Sequence, residues 1–502
     1  MVYMDFAALL SVVSTRGSKL RVCSDSRRVG KGDVFVATAG SQVDGHDFIT
    51  EAAGNGAAYI VSEMGVDIKG AQLIVVENSK EALGLLAQAS FGEPSARVTN
   101  LGVTGTNGKT TVCYLVRSVI QAAGEKCGLI GTIFYDTVGG REKAPLTTPD
   151  ALEVARISSE AVQAGAGFMV LEASSHALSQ NRLAGVDFAA AAFTNLTGDH
   201  LDYHRTKADY LAAKMTLFEG LREDATAVLN KQSPEAKEIA GRTKAKVLWY
   251  AVDEGADIAG HINSMDIEGT QFSILDTRSS SSVEVKTELL GQHNVSNHLA
   301  AAGLCLAAGF DLETIAAGLG ALRCVPGRLE SVDCGQDFKV LVDYAHTDDA
   351  LKNVLTTLKP LCKGRLTVVF GCGGNRDKTK RPRMAQVAEQ LADHVIVTSD
   401  NPRTEKPEDI IEDIVKGFDE TAWAEGPHYP PASIEHPVSS IEIVIEPDRK
   451  TAIQLGIETA GKDDIVLIAG KGHETYQIIG TETTDFDDRK VAGECLKKRI
   501  KT

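Results

Sequence analysis

Short apolar runs alternate with amphipathic stretches along most of the chain. Near the N-terminus, runs at 33–37, 57–61 and 73–76 have strand character, while 48–56 and 80–90 carry a helical period. Gly92-Glu-Pro-Ser95 interrupts the pattern and reads as a linker. A run at 98–103 leads into a Gly-rich turn and then a helical pattern at 111–123. Two more strand runs, 166–171 and 188–193, each end in a polar cluster. This alternation predicts α/β units built on mainly parallel sheets. Residues 245–290 break it: short alternating runs around Ser279-Ser-Ser-Ser282 predict antiparallel hairpins, followed by a tightly packed small-residue helix at 299–308. From Val325 a third α/β unit is predicted, with strands at 339–343, 365–370, 394–398 and 464–468. Each of these strands delivers a polar or Gly-rich loop to one sheet edge, where a ligand crevice belongs.

A chain of 502 residues is too long for one core, so three domains are expected, at 1–95, 96–325 and 326–502. No apolar run is long enough to span a membrane, and the N-terminal stretch is acidic without a basic lead-in, which predicts a cytoplasmic protein with no membrane insertion. Nine scattered cysteines without a C-x-x-C pair fit reduced thiols rather than a disulfide framework or zinc site. A net charge of −16 argues against general nucleic-acid binding and leaves room for local basic pockets.

The chemistry concentrates first at Gly102-Val-Thr-Gly-Thr-Asn-Gly-Lys-Thr-Thr111. Strand, Gly-rich loop and helix in that order are the context of a phosphate loop, and the stretch is read as the Gly-x-x-x-x-Gly-Lys-[Ser/Thr] pattern. Its glycines would let backbone amides converge on phosphate oxygens at a helix N-terminus. Lys109 would reach the β- and γ-phosphates of ATP, and Thr110 would offer its hydroxyl to Mg²⁺. The alternative is a Gly-rich turn with a surface lysine. Glu172, at the end of the 166–171 run, stands where a Mg²⁺ ligand would sit beside such a loop. His200, after the neighbouring run, is either a further ligand or a structural histidine. Lys214 sits inside an apolar helical stretch, where a lysine either snorkels outward or is buried and needs a partner or chemical alteration. Ser24-Asp25-Ser26-Arg27 and the segment from Gly40 to His46 are, on spacing alone, surface turns. Gly371-Cys-Gly-Gly lacks the spacing of a dinucleotide fingerprint.

Taken together, several motifs resemble the Mur ligases of peptidoglycan synthesis, and within them the branch that makes the tripeptide. They are Gly105-Thr-Asn-Gly-Lys-Thr-Thr111, Glu172-Ala-Ser-Ser-His176, the stretch from Thr194 to His204, Val325-Pro-Gly-Arg-Leu-Glu330, Asp343-Tyr-Ala-His346, Gly371-Cys-Gly-Gly-Asn-Arg-Asp377 and Gly470-Lys-Gly-His-Glu-Thr-Tyr-Gln477. The resemblance covers nearly the whole chain. It implies an N-terminal UDP-binding domain, a central ATPase and a C-terminal Rossmann-like domain. It implies that Ser24, Ser26, Ser41, Gln42 and Val43 contact the uridine diphosphate. Thr147, Thr148, Ser174, Gln180 and Arg182 would hold the rest of UDP-MurNAc-L-Ala-D-Glu. Gly105, Thr106, Asn107, Gly108, Lys109, Thr110, Thr111, Asn294, Asn297, Arg328 and Asp343 would surround ATP. Lys214 corresponds to a lysine carrying a CO₂-derived carbamate, which with Thr110, Glu172 and His200 would hold Mg²⁺; Lys109, Lys214, Glu172 and His200 are the catalytic set.

The reaction implied is an ATP-dependent amide ligation through an acyl phosphate, carried out by a monomer. Asp400-Asn-Pro-Arg403 resembles the family signature for meso-diaminopimelate, and Arg403 could clamp that substrate's second carboxylate. Arg376, Asp400, Asn401, Pro402, Gly470 and Glu474 complete the implied pocket, Glu474 facing the distal ammonium. The chain departs from the family pattern at Leu146, His293 and Asp348, and in Asn230-Lys-Gln232. A Pro-rich stretch at 423–439 is expected to be an inserted surface loop. The competing readings are an L-lysine-adding ligase, a folylpolyglutamate-synthetase-like ligase and a non-catalytic ATP-binding scaffold.

Overall fold

Three β-sheets of different size follow one another along the chain, each covered by helices on both faces. The computed structural model describes residues 4–16, 20–40, 43–197, 201–204, 206–418 and 441–501. Ser41, Gln42, His200 and the expected loop at 423–439 lie outside the described residues.

The first sheet has four parallel strands in sequence order: β1 (Val22–Cys23), β2 (Val34–Val36), β3 (Tyr59–Ser62) and β4 (Gln72–Val75). The two-residue period of β2 sends Val34 and Val36 to one face, against Leu9, Val13 and Leu86. Phe35 goes to the other, against Ile49 and Ala52. The helix Phe6–Arg16, absent from the pattern reading, covers the first of these faces. The expected linker is a 3₁₀ turn, Pro94–Arg97.

The second sheet has eleven strands: β5 (Thr99–Thr104), β6 (Cys127–Ile130), β7 (Phe134–Asp136), β8 (Arg141–Lys143), β9 (Phe168–Glu172), β10 (Phe188–Phe193), β11 (Thr226–Asn230), β12 (Lys246–Val252), β13 (Ile258–Asp266), β14 (Gly269–Asp276) and β15 (Ser281–Thr287). Their order is β15-β14-β13-β12-β11-β10-β5-β9-β6-β7-β8. Strands β13 to β15 pair antiparallel, as the break in periodicity predicted, and β6 to β8 add a second antiparallel edge that it did not. What matters for function is the middle. β5 lies between β10 and β9, both parallel to it, so its carboxyl end meets the ends of two neighbours. Leu101 and Val103 pack on the helix Lys109–Ala122, and Ala191 and Phe193 face the other side with Tyr210 and Phe218. The helix expected at 299–308 begins earlier, at Gln292, so Asn294 and Asn297 are helical rather than in a lead-in loop.

The third sheet comprises β16 (Glu330–Ser331), β17 (Lys339–Asp343), β18 (Leu366–Phe370), β19 (His394–Val397), β20 (Glu442–Ile445) and β21 (Ile465–Ala469), ordered β16-β17-β21-β18-β19-β20. All pairs but β16–β17 are parallel. Strands β18 and β21 are buried along their whole length, which is why they read as unbroken apolar runs. A hairpin of β22 (Tyr476–Ile479) and β23 (Glu482–Asp485) stands apart from the sheet and closes over its carboxyl end.

Candidate active site

The phosphate loop is where the central strand β5 ends. The strict spacing anticipated from the sequence would put a glycine at Val103, which is instead a fully buried strand residue. The turn is made by Gly105, at φ +147°, where an added Cβ would lie 1.8 Å from the Thr194 hydroxyl. Gly108, at φ +89°, starts the helix and brings no side-chain acceptor to its first amides, so they stay suited to an anion. Two other loop amides are already engaged: Thr106 N–H donates to the Asn195 carbonyl at 2.8 Å and Asn107 N–H to Asn195 Oδ1 at 2.9 Å. The loop is therefore held in shape from β10. Lys109 Nζ folds back on the Gly105 and Thr106 carbonyls, at 3.0 and 2.8 Å.

One carboxylate joins this loop to its surroundings. Glu172 is almost wholly buried at the end of β9. Its Oε2 accepts from the Thr110 hydroxyl at 3.1 Å and from the Thr132 hydroxyl at 2.9 Å, and its Oε1 accepts from Thr132 N–H at 2.9 Å. A Cβ on Gly131 would lie 2.5 Å from that Oε1, so the approach needs glycine. A carboxylate and a threonine hydroxyl are hard oxygen donors of the kind Mg²⁺ takes, and the two fit that ion. Lys214 is 1% exposed, which rules out snorkelling; its Nζ donates to the Gly105 carbonyl at 2.8 Å and lies 4.2 Å from the Tyr210 ring centre.

The expected dipeptide-binding residues continue from the same carboxylate. Thr148 Oγ1 donates to the Glu172 carbonyl at 2.5 Å and accepts from Ser174 N–H at 3.1 Å. Arg182 donates to the Thr148 carbonyl at 2.8 Å and to Gln180 Oε1 at 2.9 Å. The Thr147 and Thr132 hydroxyls are 3.1 Å apart. Thr147, Thr148, Ser174, Gln180 and Arg182 thus form one connected patch beside the loop. Ser24, Ser26 and Val43 lie in the first sheet's loops. Ser26 is buried in a 3₁₀ turn capped by Asp25, Ser24 is exposed, and Val43 is 60% exposed. The structure brings none of these three to the phosphate loop by a direct bond.

Residues from the third sheet reach across. Arg328 stacks 4.8 Å over the Tyr344 ring and places Nη2 3.5 Å from the Thr110 hydroxyl. Asp343 accepts from Leu329 N–H and Ala345 N–H, both at 2.7 Å, so it shapes the backbone that carries Arg328; burial raises its carboxyl above the usual range. Asn297 lies against Gly108, where a Cβ would meet its Oδ1 at 2.3 Å, and it donates to Asn294 Oδ1 at 3.1 Å. Asp349, whose carboxyl is raised chiefly by burial, accepts from Asn107 Nδ2 at 3.0 Å. Sequence reading missed Asp349, Thr132 and the bracing role of Asn195. Only Asn195 stands in a motif that could have suggested it.

The second cluster lies at the carboxyl ends of β19 and β21. Asp400 and Asn401 are buried, and Asn401 Nδ2 donates to Glu474 Oε2 at 2.8 Å. Gly470, at φ +117°, lets β21 end against Asp400, whose Oδ2 would be 2.8 Å from an added Cβ. Arg403 has left-handed backbone and is stitched to β22 by its N–H to the Ile478 carbonyl at 3.0 Å. Among the described residues its guanidinium donates through Nη1, to the Gly374 carbonyl at 2.9 Å and the Asn401 carbonyl at 3.4 Å. The Nε–Nη2 edge is thus left to meet a carboxylate. Arg376 is exposed beside Gly373. Pro402 is buried and supports the turn, its carbonyl lying under Gly374.

Three buried cations hold this cluster, and none was singled out from sequence. Arg381 is fully buried and pairs with Glu405 at 3.0 Å and Asp413 at 3.0 Å. Its hydrogen bonds pull the Glu405 carboxyl down to about 2, and Glu405 also accepts from Asn375 N–H, tying the 371–377 loop to the Asp400 loop. Arg449 pairs with Asp488, both fully buried, and donates to the Ser399 and Ala469 carbonyls at 3.1 and 2.9 Å. Those carbonyls immediately precede Asp400 and Gly470, so one guanidinium spaces the two loops. Lys471 is the third.

A phosphate loop with a hard-oxygen metal position beside a polar patch, together with a second cluster of charges at the ends of β19 and β21, fits an ATP-dependent ligase that activates one substrate and joins it to another. Comparison with known proteins agrees. Residues 21–91 match the Mur ligase family catalytic domain, 103–305 the Mur ligase middle domain and 327–472 the Mur ligase glutamate ligase domain. The UDP-N-acetylmuramoyl-L-alanyl-D-glutamate--2,6-diaminopimelate ligase of Geobacillus kaustophilus is 45% identical over 95% of this chain and 94% of its own length. The protein of the same name from Bacillus cereus is 44% identical over 95% and 94%. A solved structure of a UDP-N-acetylmuramoyl-L-alanyl-D-glutamate--2,6-diaminopimelate ligase is 34% identical, with a TM-score of 0.68 over 96% of this chain and 95% of that one. The chain belongs to the Mur ligase family. It is an ATP-dependent ligase of peptidoglycan synthesis, and none of its described helices is long and apolar enough to cross a membrane.

Proposed function

We propose that this ligase adds meso-diaminopimelate to the D-glutamyl carboxylate of UDP-MurNAc-L-Ala-D-Glu, in the cytoplasm and as a monomer. The observation that carries the reading is the Glu172 carboxylate, bonded at once to Thr110 of the phosphate loop and to Thr132, with Thr148 bound to its own carbonyl. On this reading ATP and the acceptor carboxylate would lie on two sides of one group. We divide the labour as 1–95 for the uridine diphosphate, through Ser24, Ser26, Ser41, Gln42 and Val43, 96–325 for ATP, and 326–502 for the amino acid.

The γ-phosphoryl group passes to the substrate carboxylate. Lys109, turning from the loop carbonyls it now binds, and the first amides of the helix Lys109–Ala122 take up the developing charge. Arg328, reaching Thr110 from the third sheet, adds a cation when the domains close. The amine then attacks the acyl phosphate, the tetrahedral intermediate collapses, and an amide and phosphate leave. No protein nucleophile is required; the chain's contribution is to align three substrates. Thr110, Glu172, His200 and a carbamate on Lys214 would hold Mg²⁺, which when bound neutralises phosphate charge. A carbamate keeps one N–H, so the Lys214 bond to Gly105 survives the modification. In the second pocket Arg403 receives the distal carboxylate and Glu474 the distal ammonium, with Arg376 at the rim.

Phosphate release with ATP should require UDP-MurNAc-L-Ala-D-Glu and diaminopimelate together. Turnover with either omitted would refute the coupling. Lys214→Ala should be inactive with or without added bicarbonate, whereas full activity would remove the carbamate.

A further inference from the structure

Lys471 is fully buried among the charges of the second cluster, one residue past Gly470. Its Nζ donates to Asn401 Oδ1 at 3.0 Å and to Glu474 Oε2 at 3.3 Å, and lies 3.7 Å from Asp400 Oδ1. A lysine without exposure is costly, and glue alone could come from an apolar side chain, so its charge calls for a reason. The charges around it supply one. Arg449 is matched by Asp488, and Arg381 by Glu405 and Asp413. With Arg449 already matched by Asp488, Asp400 and Glu474 are left to share Lys471, which leaves that trio one positive charge short. Arg403 faces the pocket one negative charge short. A carbon bearing both an ammonium and a carboxylate completes both.

We propose that Lys471 is a positioning and specificity residue: its buried ammonium fixes Asn401 and the Glu474 carboxylate as an anionic seat for the distal ammonium of the incoming diamino acid. The inference rests on the amino-acid reading above. Glu474 is faced by Asp400 after β19, by Arg449 at the start of the helix Arg449–Glu458, by Tyr344 after β17, by Tyr476 of β22 and by Lys471 of its own loop. Burial first, and then Asp400, push its carboxyl upward, while Lys471 pulls it back. Without Lys471 the seat would gain a proton and lose its attraction for an ammonium.

The test compares diaminopimelate with 2-aminopimelate, which keeps both carboxylates but lacks the distal amine. In Lys471→Met the KM for diaminopimelate should rise roughly tenfold, with the KM for 2-aminopimelate, ATP and the UDP-dipeptide within about twofold. The diaminopimelate KM of that variant should fall again as pH rises, while Lys471→Arg keeps most of the preference. Equal losses for the two amino acids would make Lys471 merely structural and overturn the proposal. Should Lys471→Met not fold, the wild type decides. Its preference for diaminopimelate should stay flat down to about pH 6, and a preference that vanishes between about pH 8 and 6 would contradict a fixed anion. Failure of the wild type to use diaminopimelate at all would strike the functional reading instead.

Discussion

The phosphate loop and the pocket proposed for the amino acid use opposite materials. Around the phosphate loop, most recorded contacts are backbone amides and carbonyls, hydroxyls and amide side chains: Thr106 and Asn107 to Asn195, Thr110 and Thr132 to Glu172, Thr148 to the Glu172 carbonyl. At the ends of β19 and β21, a dense set of buried charges does the work: Asp400, Lys471 and Glu474, with Arg449–Asp488 and Arg381–Glu405 beneath them. A triphosphate carries so much charge that helix amides and one lysine can hold it. Telling one amino acid from another requires fixed charges placed to match, because an unmatched buried group is penalised far more than a lost apolar contact.

Lys109→Ala breaks the first site most severely. With its cation gone from the phosphate path, kcat should fall about a thousandfold, or ~4 kcal/mol, while equilibrium binding of the UDP-dipeptide is retained. A loss of binding of similar size would mean that the loop, not the lysine, had been damaged.

The second site should break through stability. Arg449→Met leaves Asp488 buried without its partner and should cost ~3 kcal/mol in a denaturant titration, most of it recovered in Arg449→Met/Asp488→Leu. No recovery would show that the two carbonyl bonds, rather than the ion pair, carry the effect.

The difference in material explains what could be read from the sequence. A site made of backbone must write its turns locally, so Gly105, Gly108, Lys109 and Thr110 stand in one short motif, and Glu172 follows a legible strand. Even there the assumed spacing was wrong, because the turn glycine is Gly105 and position 103 belongs to the strand core. Side-chain networks are assembled over long separations. Asn107 meets Asp349 242 residues on, and Arg449 meets Asp488 39 residues on, with nothing in local pattern to pair them. Lys471 stands in the motif that begins at Gly470, yet nothing local to that motif shows its burial. The parallel strands of the third sheet were legible through their unbroken apolar runs, except β20, which follows a Pro-rich stretch that masks its start. The order of strands, and so the meeting of β5 with β9 and β10, required the structure.

Arg403→Lys sharpens the contrast at smaller cost. A lysine keeps the charge but loses the fork, so kcat/KM for diaminopimelate should fall roughly thirtyfold, ~2 kcal/mol, with the KM for ATP unchanged. A matching rise in the KM for ATP would show the two sites to be coupled rather than separate.

Acid should act more gently on the ATP side. His298 is buried on the helix that carries Asn294 and Asn297, and burial pushes its imidazole down to about 4. Its Nδ1–H donates to the Asn294 carbonyl at 2.6 Å, a bond that favours the charged ring and offsets only part of that push. A folded value below the unfolded one means the stabilisation is complete above about pH 6.5 and is lost as pH falls toward about 4. The decline in stability between about pH 6.5 and 5 should be smaller by ~1 kcal/mol in His298→Gln. An unchanged slope would assign the acid response to other groups.

The central claim is that the far pocket chooses the amino acid while the loop supplies the drive. Its most direct test is phosphate release by the purified protein with ATP and UDP-MurNAc-L-Ala-D-Glu, comparing meso-diaminopimelate with L-lysine at equal concentration. Lysine offers an ammonium to Glu474 but no carboxylate to Arg403, and its kcat/KM should be lower by about a thousandfold or more. Equal turnover of the two would contradict the account.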